Sequence, residues 1–167
     1  MSDARRILEL SQEASLRERI PDQVYRDERE ARDVLRYLIA QYALAEPRSA
    51  PCVLAACLVE SNALVGHVGF SPLGNDVEIG YAIAMAHQGR GLATECVSAA
   101  VPWAIEAFLL PSVVGVVATD NVASCRVLER SGFGLESERE RALHGRMQLA
   151  RQYRRSRSLF PATTGGA

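Results

Sequence analysis

The sequence predicts a single α/β domain with a mixed, mostly antiparallel sheet and helices on both faces. Three observations carry that expectation. Residues 52–85 hold three strand-length runs separated by short turn signals, which reads as an antiparallel meander. The third run passes straight into a glycine turn, Gln88-Gly-Arg-Gly-Leu-Ala93, and then into a helical stretch. Further on, Val113-Val-Gly-Val-Val-Ala-Thr119 is continuous, apolar and β-branched, which suits a central buried strand.

Taken in order, residues 3–19 read as one helix with Ile7, Leu8, Leu10 and Leu16 on its apolar side, stopped by Pro21. A second helix is expected from Asp27 to Ala45, with Val34, Leu35, Leu38, Ile39 and Tyr42 as its stripe. Asp27, Glu28 and Glu30 in its first turn complement the helix dipole, and Pro47 and Pro51 mark the exit. The meander comprises Cys52 to Val59, a turn at Ser61-Asn62, Leu64 to Phe70, a turn from Pro72 to Asn75, and Val77 to Met85.

Ala93 to Phe108 is helical, and Pro102 within it predicts a kink or an early end. After Val113 to Thr119, Asp120 or Asn121 can cap a helix from Val122 to Arg130, and Gly132 stands at the C′ position. Phe133 to Glu138 and Arg146 to Arg154 are the last expected strands. Between Arg139 and Arg157 lie seven arginines against the single acid Glu140. They fit a solvated strand face, or a surface for phosphate or an acidic partner. Pro161 to Ala167 is a polar tail expected to be disordered, which leaves 1–160 as the domain.

Composition removes several function classes. Apolar residues are 48% and charged residues 23%, a soluble globular balance. A net charge of −1 gives no bulk attraction to nucleic acid or to a membrane, and neither is expected as a partner. Every basic residue is arginine and lysine is absent, so Schiff-base chemistry on a lysine is excluded. No signal peptide or membrane-length apolar run is visible. Cys52, Cys57, Cys96 and Cys125 form no C-x-x-C pair, and His67, His87 and His144 are scattered. No zinc site is expected, and four free thiols fit a cytoplasmic protein with the cysteines packed as small core residues.

The turn at residues 88–93 is the chemical centre. Two glycines let the backbone point several N–H groups at one spot, and the following helix adds its unpaired N–H groups and the positive end of its dipole. That combination is an anion site suited to a pyrophosphate. The dinucleotide fingerprint fits poorly. Gly89-Arg-Gly91-Leu-Ala-Thr94 lacks the third glycine, no acid stands near 109–115, and antiparallel strands precede the turn. A purely structural glycine turn is the remaining alternative.

Two ordered blocks favour coenzyme A. Gln88-Gly-Arg-Gly-Leu-Ala93 resembles the Q/R-x-x-G-x-G/A pyrophosphate loop of the GNAT N-acetyltransferases, and Glu78-Ile-Gly-Tyr-Ala-Ile83 resembles the strand before it. Asn121-Val-Ala-Ser-Cys-Arg-Val-Leu-Glu-Arg-Ser-Gly-Phe133 resembles the block N-x-x-S-x-x-V-L-E-x-x-G-F of the RimJ/RimL-like subgroup, which acetylates the N-terminal amines of ribosomal proteins. The resemblance covers about residues 52–138. The first strand usual in the family has Arg6 to Leu10 as its candidate, or is missing.

The resemblance implies acetyl-CoA as acetyl donor and an amine as acceptor, a protein N-terminus or a small molecule, in a monomer or homodimer. It implies a pyrophosphate held by Gln88, Gly89, Arg90, Gly91, Leu92 and Ala93 with Thr94 adding its hydroxyl. It also implies a pantetheine arm beside Ile83, Ala84 and Met85, where one backbone N–H stabilises the oxyanion. Asn121 adds a cofactor contact to its capping role. Glu78 is the candidate general base, directly or through water, with His67 and His87 as rivals. Many family members carry a proton-donating Tyr seven residues after this Asn, and Leu128 stands there. The donor to the thiolate is then Ser124, a water or nothing, with Tyr81 as a further candidate; a thiol pKa of about 8.5 makes protonation barely necessary. The alternative reading is a non-catalytic acyl-CoA-binding sensor or assembly module.

Overall fold

The computed structural model describes residues 3–43 and 46–157. Helix α1 spans Ala4–Ser11, α2 Ala14–Arg19 and α3 Glu28–Gln41. Strands β1 (Cys52–Cys57), β2 (Leu64–Leu73) and β3 (Asp76–Ile83) form the expected meander. Then come α4 (Leu92–Ala107), β4 (Ser112–Ala118), α5 (Val122–Arg130), β5 (Gly134–Leu143) and β6 (Arg146–Ser156). The six strands form one mixed sheet in the order β1-β2-β3-β4-β6-β5, and only β3 and β4 are parallel neighbours.

Helices α4 and α5 close one face. Val97, Val101 and Ala104 of α4 and Leu128 of α5 are fully buried against Phe70, Val77, Ile79, Val113 and Tyr153. Each of the valine, leucine, isoleucine and phenylalanine side chains contributes about 1.5–3 kcal/mol by leaving water. The close seat of α5 depends on Gly115, where a Cβ would come within 2.8 Å of Leu128. Helix α4 runs on through Pro102 to Ala107, so the expected early end does not occur. Beyond α5, Gly132 at φ +81 lets its own N–H reach Glu129 O and that of Phe133 reach Leu128 O, the Schellman ending expected from the glycine.

Helices α1 to α3 form a separate layer, with Ala4, Leu10, Leu16 and Ala31 buried outside that core. Here the sequence expectations need correction. The single helix over residues 3–19 is two helices, because Glu13 is extended (φ −63, ψ 140). Tertiary hydrogen bonds hold the break open: Ser11 Oγ accepts the Tyr25 N–H at 3.2 Å, and Gln12 Nε2 donates to the Tyr25 carbonyl. Arg6 to Leu10 is helical, and among the described residues no strand precedes Cys52. Helix α3 starts on the Asp27 cap, whose Oδ1 accepts the Glu30 N–H at 2.8 Å, but ends at Gln41; Ala45 lies outside the described residues. Its stripe is not a core face, since Ile39 and Tyr42 are exposed and Ala31 alone is buried.

The last hairpin is longer than expected because His144 (φ 50) and Gly145 (φ 76) make a tight turn with two positive φ values, matching the strand twist. Of the cysteines, Cys52 and Cys125 are buried, but Cys57 is exposed and is not a core residue. The expected tail from Pro161 to Ala167 lies outside the described residues.

Candidate active site

The glycine turn has the geometry its sequence suggested. Strand β3 ends at Ile83, a single 3-10 turn covers Met85–His87, and Gly89 (φ +73) and Gly91 (φ +82) both sit in the left-handed region. A Cβ on either glycine would meet nothing within 4 Å, so backbone conformation demands the glycines and the space before them is open. Gly91 is the N-cap of α4, and no side chain hydrogen-bonds into that first turn. The first N–H to find a helical partner is that of Glu95, on Gly91 O at 3.0 Å. The N–H groups of Leu92, Ala93 and Thr94 therefore face outward at the positive end of a 16-residue helix. Arg90 Nη1 meets His87 Nδ1 at 3.2 Å beside the turn.

Next to the turn the sheet opens. β3 and β4 pair only at Glu78 and Val114, and beyond that point they diverge. On the other edge of β3, Ala84 N–H donates to Val65 O at 2.8 Å. N–H direction alternates along a strand, so Ile83 points its N–H toward the gap. The Ile83 carbonyl is taken by Gln88 Nε2 at 2.8 Å, which ties the turn to the strand end. Met85 N–H donates to the Glu13 carboxylate at 2.7 Å. Of the three expected backbone contacts, Ala84 and Met85 thus have protein partners, and Ile83 faces the opening.

Glu78 lies at the start of the gap, and alternation sends it to the face opposite Tyr81. Burial raises its pKa; the Val116 backbone N–H and the positive fields of Arg141 and His144 oppose that rise. Its carboxyl opens on a cleft of about 430 Å³ floored by Asp76, Val116 and Gln152 and walled by Arg139 and Arg141. His67 pairs across from Ala82 on this same face of the sheet, and burial lowers its pKa, so it is neutral at pH 7. A larger depression of about 480 Å³ along α3 shares no residue with the strand–turn–helix unit.

On the other face, Asn121 caps α5, with Oδ1 accepting the Ser124 N–H at 3.2 Å. Tyr81 OH donates to Ser124 O at 3.0 Å, joining β3 to α5 across the gap. Burial pushes the Tyr81 phenol well above its ordinary pKa, so it stays protonated. Leu128, where a Tyr would stand in many relatives, is fully buried. Glu78 and Ser124 therefore flank the gap from opposite faces of the sheet.

The segment between α1 and α3 borders this site, and nothing in the sequence pointed to it. Besides the Glu13–Met85 bond, Arg19 Nη1 meets Asp120 Oδ1 at 2.9 Å, and His144 Nδ1 meets Asp22 Oδ2 at 2.6 Å. Each bond joins this segment to a different part of the sheet layer. Glu13 was hidden because its residue type and spacing fit an unbroken helix.

Comparison with known proteins agrees with this geometry. The acetyltransferase (GNAT) domain model matches residues 1–134. The chain belongs to the GNAT acetyltransferase family. Among relatives, the uncharacterized N-acetyltransferase YoaA of Bacillus subtilis (strain 168) is 38% identical over 80 residues. That match spans 46% of this chain and 45% of the relative, about half of each. Among solved structures, RimL, a ribosomal L7/L12 alpha-N-protein acetyltransferase in complex with coenzyme A, superposes with a TM-score of 0.76 at 19% identity, covering 93% of this chain and 89% of that one. The spermidine N-acetyltransferase of Vibrio cholerae in complex with CoA and spermine gives 0.75 at 19% identity, covering 93% and 90%. At this identity the likeness is one of fold.

Proposed function

We propose that this chain is an acetyl-CoA-dependent N-acetyltransferase that moves an acetyl group to a primary amine by direct attack. One observation carries the reading: the outward main-chain N–H groups of Leu92, Ala93 and Thr94, reached through the left-handed Gly89 and Gly91, adjoin a gap between parallel strands, with Glu78 at its edge. The donor supplies an acyl group activated as a thioester. The N–H groups of Gln88 to Thr94 hold its diphosphate, with the exposed Arg90 as a counter-charge. The arm follows the free edge of β3, where the Ile83 N–H is the donor placed to receive charge developing on the acyl oxygen.

Glu78 takes a proton from the incoming ammonium, directly or through water. Its raised pKa suits it to that work better than an ordinary carboxylate, because a base is most effective near the operating pH. Asn121 caps the start of α5 on the donor's side, and Ser124, whose carbonyl accepts the Tyr81 hydroxyl, is assigned as the hydroxyl on the leaving-thiolate side. The acceptor is a primary amine, on a protein N-terminus or a small molecule, and the cytoplasm is the compartment where this donor is made available.

A second reading, a domain that binds an acyl-CoA without turning it over, draws on the apolar Leu128 and on the Glu13 carboxylate held at Met85. Thermal shift with acetyl-CoA, NAD and ATP, followed by thiol release against a panel of amines, separates the readings. Stabilisation by acetyl-CoA with turnover supports transfer. Stabilisation without turnover on any amine supports the binding module, and stabilisation by NAD alone ends both.

A further inference from the structure

The charges lining the Glu78 cleft are unevenly paired. Asp76 and Glu78 are its acids, but Asp76 is already gripped by Arg154, through Nη1–Oδ1 at 2.7 Å and Nη2–Oδ2 at 3.1 Å. Arg154 also holds Glu136 at 2.7 Å. The facing wall is different. Arg141 donates from Nη2 to the Gln152 amide oxygen at 2.9 Å, and the amide nitrogen of that residue is turned to Glu136 at 2.6 Å. Among the described residues neither Arg139 nor Arg141 forms an ion pair with an acid. They alternate on one face of β5, about 7 Å apart along the strand.

We propose that the acceptor carries a negative group beside its amine, the amine directed to Glu78 and a carboxylate received between Arg139 and Arg141. This rests on the acetyl-transfer reading of Glu78. The chemistry is that of an α-amino carboxylate or a peptide beginning with Asp or Glu. A guanidinium fork receives a carboxylate through two parallel hydrogen bonds, and two forks on one wall fix where the amine points. A polyamine meets the same wall as like charge, opposed by Glu78 and by the one carboxylate charge that Arg154 leaves unbalanced between Asp76 and Glu136.

The test compares peptides that differ only at the first residue, with acetyl-CoA as donor and thiol release as readout. Wild-type kcat/KM is expected to be about tenfold or more higher for Asp- or Glu-initial peptides than for the Gln- or Lys-initial ones, the size of a charge-assisted hydrogen bond. In the double variant Arg139→Gln/Arg141→Gln that ratio falls toward one. Arg139 is exposed, so Arg139→Glu folds as the parent does and shifts the ratio toward the Lys-initial peptide. Preference of the wild type for spermidine or the Lys-initial peptide overturns the inference and leaves acetyl transfer standing. No thiol release with any amine overturns acetyl transfer instead. Calorimetry then still decides the charge preference: tighter binding of the Asp-initial peptide, lost in the double variant, supports it, and equal binding ends it.

Discussion

The Glu13 carboxylate accepts the Met85 backbone N–H at 2.7 Å, joining the break between α1 and α2 to the end of β3. That N–H lies in the stretch where the donor's arm is expected to pair. Replacing Glu13 by Ala removes a group the donor would otherwise displace. Acetyl-CoA is then expected to bind several-fold more tightly, measured by calorimetry. An unchanged or weaker Kd would mean that Met85 is off the donor's path, or that Glu13 supports the pocket.

Glu78→Gln is expected to lower kcat/KM at neutral pH by about 100-fold or more, with acetyl-CoA binding kept. Wild-type kcat/KM should rise with pH as Glu78 loses its proton, at a midpoint above the ordinary carboxylate value because burial raises its pKa. The variant should lack that limb.

The same shift makes a claim about stability with an opposite sign. A carboxyl with a raised folded-state pKa binds more protons folded than unfolded between the two pKa values, so stability falls as pH rises through that window. Glu78→Gln should therefore raise Tm at pH 7 while lowering the rate. A Tm that drops would show Glu78 to be a structural acid.

Gly91→Ala places a Cβ at φ +82, where an L-residue is strained by about 1 kcal/mol. Since that Cβ would touch no protein atom, the fold should survive with a small Tm loss. Acetyl-CoA affinity should fall well beyond that, because the Cβ stands where the diphosphate is expected. Equal losses of Tm and affinity would count against the site.

Arg154 links Asp76, Glu136 and Ser112, joining β3, β5 and β4. Its hydrogen bonds hold the Asp76 and Glu136 carboxyls below their usual values. That stabilisation is present above the unfolded carboxylate pKa and disappears as pH falls through the folded values. Arg154→Ala should cost about 1 kcal/mol at pH 7, since the groups are partly exposed, and the loss should shrink toward pH 3. Urea midpoints at the two pH values measure it.

What the sequence revealed was local. The turn at 88–94, the Asn121 cap and the Gly132 ending are set by residue types that tolerate few backbone conformations. The run from Val113 to Thr119 was legible because a strand buried on both faces is apolar throughout. What it concealed was tertiary. The helix break at Glu13 has no glycine or proline to announce it; partners at Tyr25 and Met85 impose it. The extent of β5 was hidden because its alternation pairs charged residues on both faces, as in Glu138, Arg139, Glu140 and Arg141. The stripe of α3 misled because Val34, Leu35 and Leu38 are only half-buried and Ile39 and Tyr42 stay exposed. For the site, spacing pointed to the turn and to Glu78, whereas the unpaired arginines and the Glu13 contact required three dimensions.

The ion pairs described here are built from guanidinium groups, with the His144–Asp22 pair as the exception. Not one side chain in the sequence ends in a primary ammonium. A guanidinium keeps its proton at any physiological pH and is no nucleophile toward a thioester. A catalyst of acyl transfer built this way offers its reagent no side-chain amine, and is spared N-acetylation at its own side chains.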